Sequence, residues 1–264
     1  MSDTATTDDE RANARVALTC LDLTSLNDND DAPVIDALCR RAVTSWGHAA
    51  AVCVWPRFVA QARAALPREV AVAAVANFPD GALDLDGALA DTQTIVDGGG
   101  DEVDLVLPWR AMQDGQHAEA AQLVAQVRKA CVGKRLKLII ESGELPSAHT
   151  IAQACAIGLD NGADFLKTST GKAAHGASLP AARQMMGAIA AHRRGAAVGF
   201  KAAGGIRTVA DAASYILLAR QILGPGAAKP TRLRFGASGL LGDIERVLSG
   251  SSSSSGDTIP GSSY

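Results

Sequence analysis

Apolar residues along this chain fall in short runs at similar intervals: ALTCLDLT (17–24), AAVCVWP (50–56), VAVAAVANFP (70–79), EVDLVLP (102–108), LKLIIESG (136–143), DFLKTST (164–170), AVGFKAAGG (197–205) and RLRFGAS (232–238). Most are separated by Ala-rich stretches of helical periodicity, such as DGALADTQTIVDGG, HAEAAQLVAQVRKAC and AHTIAQACAIGLDNG. Alternating strands and helices imply a parallel sheet with crossover helices. Eight such units predict an α/β fold, a single (β/α)₈ barrel. A doubly wound open sheet is the competing arrangement, but no Gly-x-Gly-x-x-Gly follows the first strand to support it. The barrel is expected over residues 1–248, with a polar, frayed or helical lead-in over 1–15. Residues 249–264, SGSSSSSGDTIPGSSY, read as a flexible Ser/Gly-rich tail.

Several of these runs carry charges where a buried strand should be apolar throughout. Residues two apart on a strand share a face. Glu102 aligns with Asp104, Lys137 with Ile139 and Glu141, Phe165 with Lys167 and Ser169, and Gly199 with Lys201 and Ala203; Asp22 interrupts the first strand in the same way. Outward positions would bury these charges under helices, so they are expected inside the barrel near its C-terminal mouth, within reach of water and substrate. One reading is a structural network of Lys137, Lys167 and Lys201 against Asp22, Glu102 and Asp104, since buried charges need partners. The other is chemistry. A lysine attacks a carbonyl only as the neutral amine, and its ordinary pKa of ~10.4 must be lowered by burial or a neighbouring cation. Lys167 and Lys201 on consecutive strands fit that arrangement, with a carboxylate such as Asp104 to move protons. The residues alone do not say which lysine is the nucleophile.

Glycine and hydroxyl clusters follow the last three strands: STGK (169–172), AGGIR (203–207) and FGASGLL (235–241). Backbone amides freed by glycine and a helix N-terminus favour an anion there, and late barrel loops commonly hold phosphate. A phosphorylated carbonyl compound is the implied substrate.

Composition narrows the partners. A net charge of -3 without a basic stripe argues against nucleic acid and anionic membrane surfaces. No apolar run approaches the ~20 residues of a membrane span, and the polar, acidic start is unlike a signal peptide. Five scattered cysteines without Cys-x-x-Cys suggest reduced thiols and a cytoplasmic setting. The histidines at 48, 117, 149, 175 and 192 form no ligand motif, so no metal is expected.

The segments LDLTSLND, VANFPDG, DEVDLVLP, LKLIIESGEL, DFLKTSTGK and GFKAAGGIR, in this order, resemble the signature segments of the class I deoxyribose-phosphate aldolase family over about residues 15–248. The resemblance implies metal-independent, cofactor-free cleavage of 2-deoxy-D-ribose 5-phosphate through a lysine imine. It makes Lys167 the imine lysine, Lys201 its pKa-perturbing partner and Asp104 a proton-relay carboxylate. Thr170, Lys172, Gly204, Gly205, Ser238 and Gly239 fall in the substrate and phosphate site, with Asp22 helping to bind a hydroxyl or order the site. Cys53 matches a cysteine near the pocket of some relatives, although on its own it reads as a small buried hydrophobe. The chain departs from the family at Ser238-Gly239, where two serines are usual, and at KAAGG, where many members have a proline. The final Tyr264 resembles the end of longer members, whose terminal phenol helps protonate the enamine; the tail could span about 50 Å. The resemblance also suggests a homodimer. Another imine-forming barrel aldolase acting on a keto-sugar phosphate, and a catalytically silent sugar-phosphate-binding barrel, are the alternative readings.

Overall fold

Strand and helix alternate from Leu21 to Ser249 in the computed structural model, which describes residues 7–250. The strands are β1 (Leu21–Thr24), β2 (Ala51–Val54), β3 (Ala71–Ala76), β4 (Glu102–Val106), β5 (Arg135–Ile139), β6 (Phe165–Lys167), β7 (Gly199–Ala203) and β8 (Leu233–Ala237). All pair in parallel, and β1 bonds to both β2 and β8, closing the barrel. The sheet therefore has no free edge to protect.

Why the runs form strands is visible in their two faces. Leu21, Leu23, Val52, Val54, Val72, Val103, Leu105, Leu136, Leu138, Leu166, Phe200, Leu233 and Phe235 belong to the large core beneath the surrounding helices. The alternate positions face inward. On β2 and β3 these are small and apolar, and Ala51, Cys53, Ala73 and Val75 pack with Leu26 into a separate interior cluster. Around the rest of the barrel the charged residues Asp22, Glu102, Asp104, Lys137, Lys167, Lys201 and Arg234 share this face with Phe165, Gly199 and Gly236. The interior is thus half greasy and half charged.

The crossover helices start where the sequence offers caps. Asp31, Asp84, Ser147, Ser178 and Thr208 each accept a backbone N–H of the first turn of α2 (Ala32–Arg41), α4 (Leu85–Asp97), α7 (Ala148–Asp160), α8 (Leu179–Ala191) and α9 (Val209–Leu223). The others are α3 (Val59–Ala65), α5 (Trp109–Gln113), α6 (His117–Ala130) and α10 (Leu240–Ser249). The lead-in is α1 (Asp8–Thr19), which runs further than the polar stretch suggests. Ala17 and Leu18, assigned to the first strand by their apolarity, instead form the buried face of this helix, which packs on α9 and α10. A small antiparallel hairpin, Val43–Thr44 with Gly47–His48, was not foreseen. Among the described residues no helix is long and apolar enough to cross a membrane.

Candidate active site

Parallel pairing sets the charged residues side by side. Lys167 is in register with Lys201, and Asp104 with Lys137. Lys137 Nζ lies 3.0 Å from Asp22 Oδ2, 2.5 Å from Glu102 Oε2 and 2.7 Å from Asp104 Oδ1. Lys201 Nζ lies 2.5 Å from Asp22 Oδ2 and 2.8 Å from Asp104 Oδ2. Lys167 Nζ has one carboxylate within reach, Asp104 Oδ2 at 2.9 Å. Arg234 closes the network from β8, donating to Asp22 at 2.5 Å and to Glu102 at 2.9 Å. Gly236 makes room for Lys201: a Cβ there would sit 2.9 Å from Lys201 Cε.

Charge balance then ranks the amines. Lys137, Lys167, Lys201 and Arg234 are all buried, and they face the three buried carboxylates Asp22, Glu102 and Asp104. One cation too many is enclosed, and an uncompensated buried charge is costly. Arg234 cannot release its proton. Lys137 is shared among three carboxylates and Lys201 between two. Lys167 holds only part of Asp104, so it is the amine most readily neutralised.

The pKa directions follow. Burial pushes the Lys167 amine below its ordinary value; Asp104 pulls it up, and the Lys201 ammonium pushes it further down. Burial also disfavours charge on Lys201, but Asp104 and Asp22 outweigh it and hold that ammonium above the usual lysine value. Lys137 is raised as well, because Asp104, Asp22 and Glu102 together overcome its burial. Burial resists ionisation of Asp104 as well, yet Lys137, Lys167 and Lys201 hold it well below the usual carboxylate range. The free site thus pairs an easily neutralised amine with a firmly protonated neighbour and a firmly ionised carboxylate.

Lys167 ends β6 and opens onto a narrow cavity of about 20 Å³ lined by Thr24, Leu26, Thr170, Gly171, Gly204 and Gly236, among others. That volume admits about one water. A larger concavity lies at the opposite end of the barrel, so size alone does not locate the chemistry.

The loop after β6 is fixed by its own polar groups. Thr168 Oγ1 donates to Ala203 O and accepts Ala203 N–H, tying the ends of β6 and β7 together. Glu141, buried and held at φ 52°, accepts the Thr170 N–H at 3.2 Å on both oxygens, and burial raises its pKa. Ser169 Oγ, two residues past Lys167, is buried with no hydrogen-bond partner among the described residues. Such a hydroxyl remains available to a polar ligand.

The structure therefore brings together Lys167, Lys201, Asp104 and Asp22, with Cys53 Sγ 3.9 Å from Asp104 Oδ2. Burial raises the Cys53 pKa, leaving a neutral thiol. Thr170 and Gly204 line the cavity beside them. Gly204 and Gly205 both have φ 87°, and a Cβ on Gly205 would meet nothing, so that loop presents an open face. Lys172 is exposed, with its backbone N–H on Thr170 Oγ1. Ser238 and Gly239 lead into α10, whose N-terminus carries no side-chain cap. Tyr264 lies outside the described residues.

One placement in the site differs from the sequence reading. Glu102, expected at the mouth, is the first residue of β4 and pairs with Arg135 towards the N-terminal end. Arg234 and Arg135 were not singled out. The alternation that exposed the lysines also marks Arg234 within RLRFGAS. Among the described residues no group of three or more His, Cys, Asp or Glu side chains is placed to hold a metal ion.

A closed parallel barrel with a buried lysine pair at its C-terminal end is a scaffold suited to carbonyl chemistry on an amine. The chain belongs to the DeoC/LacD family of aldolases, whose family model matches residues 16–239. It is 46% identical over 243 residues to the deoxyribose-phosphate aldolase of Agrobacterium fabrum, covering 91% of this chain and 93% of that one. A crystal structure of a candidate deoxyribose-phosphate aldolase from Coccidioides immitis superposes with TM-score 0.76 at 28% identity, over 88% of this chain and 86% of the other. A Toxoplasma gondii structure with a similar description, 24% identical, shares the fold with TM-score 0.84 over 96% of this chain and 100% of its own.

Proposed function

We propose that this aldolase reversibly cleaves 2-deoxy-D-ribose 5-phosphate to acetaldehyde and D-glyceraldehyde 3-phosphate through an imine on Lys167. The carrying observation is the unequal sharing of three carboxylates, which leaves Lys167 as the amine most easily freed of its proton. The relationship to the Agrobacterium enzyme supports the substrate.

In this reading the neutral Lys167 amine adds to the aldehyde carbon C1 of the open-chain sugar. The carbinolamine loses water to give an iminium. Its positive nitrogen accepts the electron pair of the C2–C3 bond as that bond breaks. The C3 hydroxyl gives up its proton and becomes the carbonyl of glyceraldehyde 3-phosphate. The enamine left on Lys167 takes a proton at C2, and water releases acetaldehyde and the free amine. The iminium supplies the electron sink, so no cofactor is required. Asp104, ionised in the free protein, receives protons, whereas the Lys201 ammonium is the nearby donor. The phosphate is held at the open Gly205 turn and the uncapped N-terminus of α10 beside Ser238, where backbone dipoles favour an anion.

Borohydride reduction in the presence of acetaldehyde, followed by peptide mapping, tests the imine. A two-carbon adduct on Lys167, absent from Lys167→Ala, is the expected result. An adduct on Lys201 would reverse the two roles, and no adduct would leave a binding barrel without aldol chemistry. Tyr264 is assigned, by resemblance alone, to protonating the enamine carbon. Deleting it is then expected to slow deuterium exchange of the acetaldehyde methyl group while leaving Lys167 trapping intact; unchanged exchange would remove that role.

A further inference from the structure

A concavity of about 540 Å³ opens at the N-terminal end of the barrel and is lined in part by Arg128, Lys134, Arg135 and Asp164. Its volume lies within the range of small-molecule sites. The aldol chemistry makes no use of it.

Its charge is unbalanced. Asp164 is the one carboxylate in the lining, and it is already engaged by Arg128 at 2.9 Å, with Arg194 approaching at 3.8 Å. Arg135 reaches inward to Glu102, but that carboxylate also serves Lys137 and Arg234, so the guanidinium receives only a share of it. The Lys134 ammonium has no hydrogen-bond or ion-pair partner among the described residues. Arg135 also lies over the buried Phe165 ring, 5.7 Å from its centroid, which helps to hold the guanidinium in place. Arg128 is spent on Asp164 and on the Cys131 and Lys134 carbonyls, so the Arg135 guanidinium and the Lys134 ammonium are the cations this concave surface offers, a pair suited to phosphate recognition.

We propose that this basin is a second binding site, separate from the lysine centre, for a small dianion of the phosphate monoester class. The phosphate meets Lys134 and Arg135.

Calorimetric titration of the full-length protein with inorganic phosphate, in a phosphate-free buffer, tests the assignment. Two sites per chain are expected. Lys134→Glu should weaken one of them by about tenfold or more, the loss of a charge-assisted contact, and leave the other untouched. Ala197→Glu, which puts a carboxylate into the same basin at an exposed position, should do the same. Neither residue belongs to the lysine centre, so deoxyribose phosphate turnover should match the unmodified chain in both variants and report an intact fold. Phosphate binding that is unchanged in both variants, whether one site or two, would overturn the proposal.

Discussion

In a Lys201→Met variant, the rising limb of kcat/KM against pH is expected to move up by about one to three units, with turnover near neutral pH falling by about a hundredfold or more. Methionine keeps the length of the side chain and removes its charge. Two consequences act on Lys167 in the same direction. The neighbouring cation that depresses its pKa is gone. Asp104 Oδ2, now relieved of Lys201, keeps Lys167 as its one cation and favours the ammonium form of that lysine. Each unit by which the Lys167 pKa rises cuts the neutral amine at a fixed lower pH tenfold. Asp22 keeps Lys137 and Arg234, so its charge remains compensated. Activity should therefore return at high pH, which separates this effect from unfolding. Lys201→Arg, which restores a cation, should bring the limb back towards its original position. A uniform loss at every pH with an unmoved limb would mean that Lys201 acts by donating protons or by orientation, with no part in lowering the Lys167 pKa.

Much of this site is legible in the sequence because a strand has a period of two. A lysine within FLK or GFKAA must point either into helices or into the barrel, and only the interior offers partners; the structure places Lys167, Lys201, Asp104 and Asp22 there together. The proposed structural network and the proposed chemical pair are the same set of residues. What the sequence does not carry is the sharing of oxygens. Lys137, Lys167 and Lys201 look alike in their runs, and the difference between contacting three carboxylates and one depends on register across strands far apart in the chain. Glu102 was misplaced for a related reason, since parity gives the face of a strand and says nothing of depth along the barrel axis. The sequence starts β1 too early because Ala17 and Leu18 are apolar in either state, and helix α1 claims them by packing on α9 and α10.

Asp104→Asn is expected to cost about 3–5 kcal/mol of stability in urea denaturation, because it breaks a buried ionic cluster by removing one partner. The substitution changes shape little and leaves Lys137, Lys167, Lys201 and Arg234 facing only Asp22 and Glu102. The enclosed excess of positive charge grows from one to two. Lys167 loses the single carboxylate within its reach, so its pKa falls further below that of the unfolded chain. Between that depressed value and the ordinary lysine value of about 10.4, the unfolded state binds more protons, and the stability of the variant should climb with pH. The wild-type carboxylate contributes in the opposite window. Its stabilisation is complete above the unfolded value of about 3.9 and is lost only as the pH falls through its depressed folded value. Adding Lys137→Met to Asp104→Asn removes a cation with its carboxylate and restores the original excess of one. The double variant should recover at least half of the loss, a coupling far larger than the few tenths expected of independent sites. A single variant as stable as the wild type would show that the cluster does not depend on charge balance. A double variant no better than the single one would assign the cost to local geometry at Asp104, and the ranking of the three amines would then need another cause.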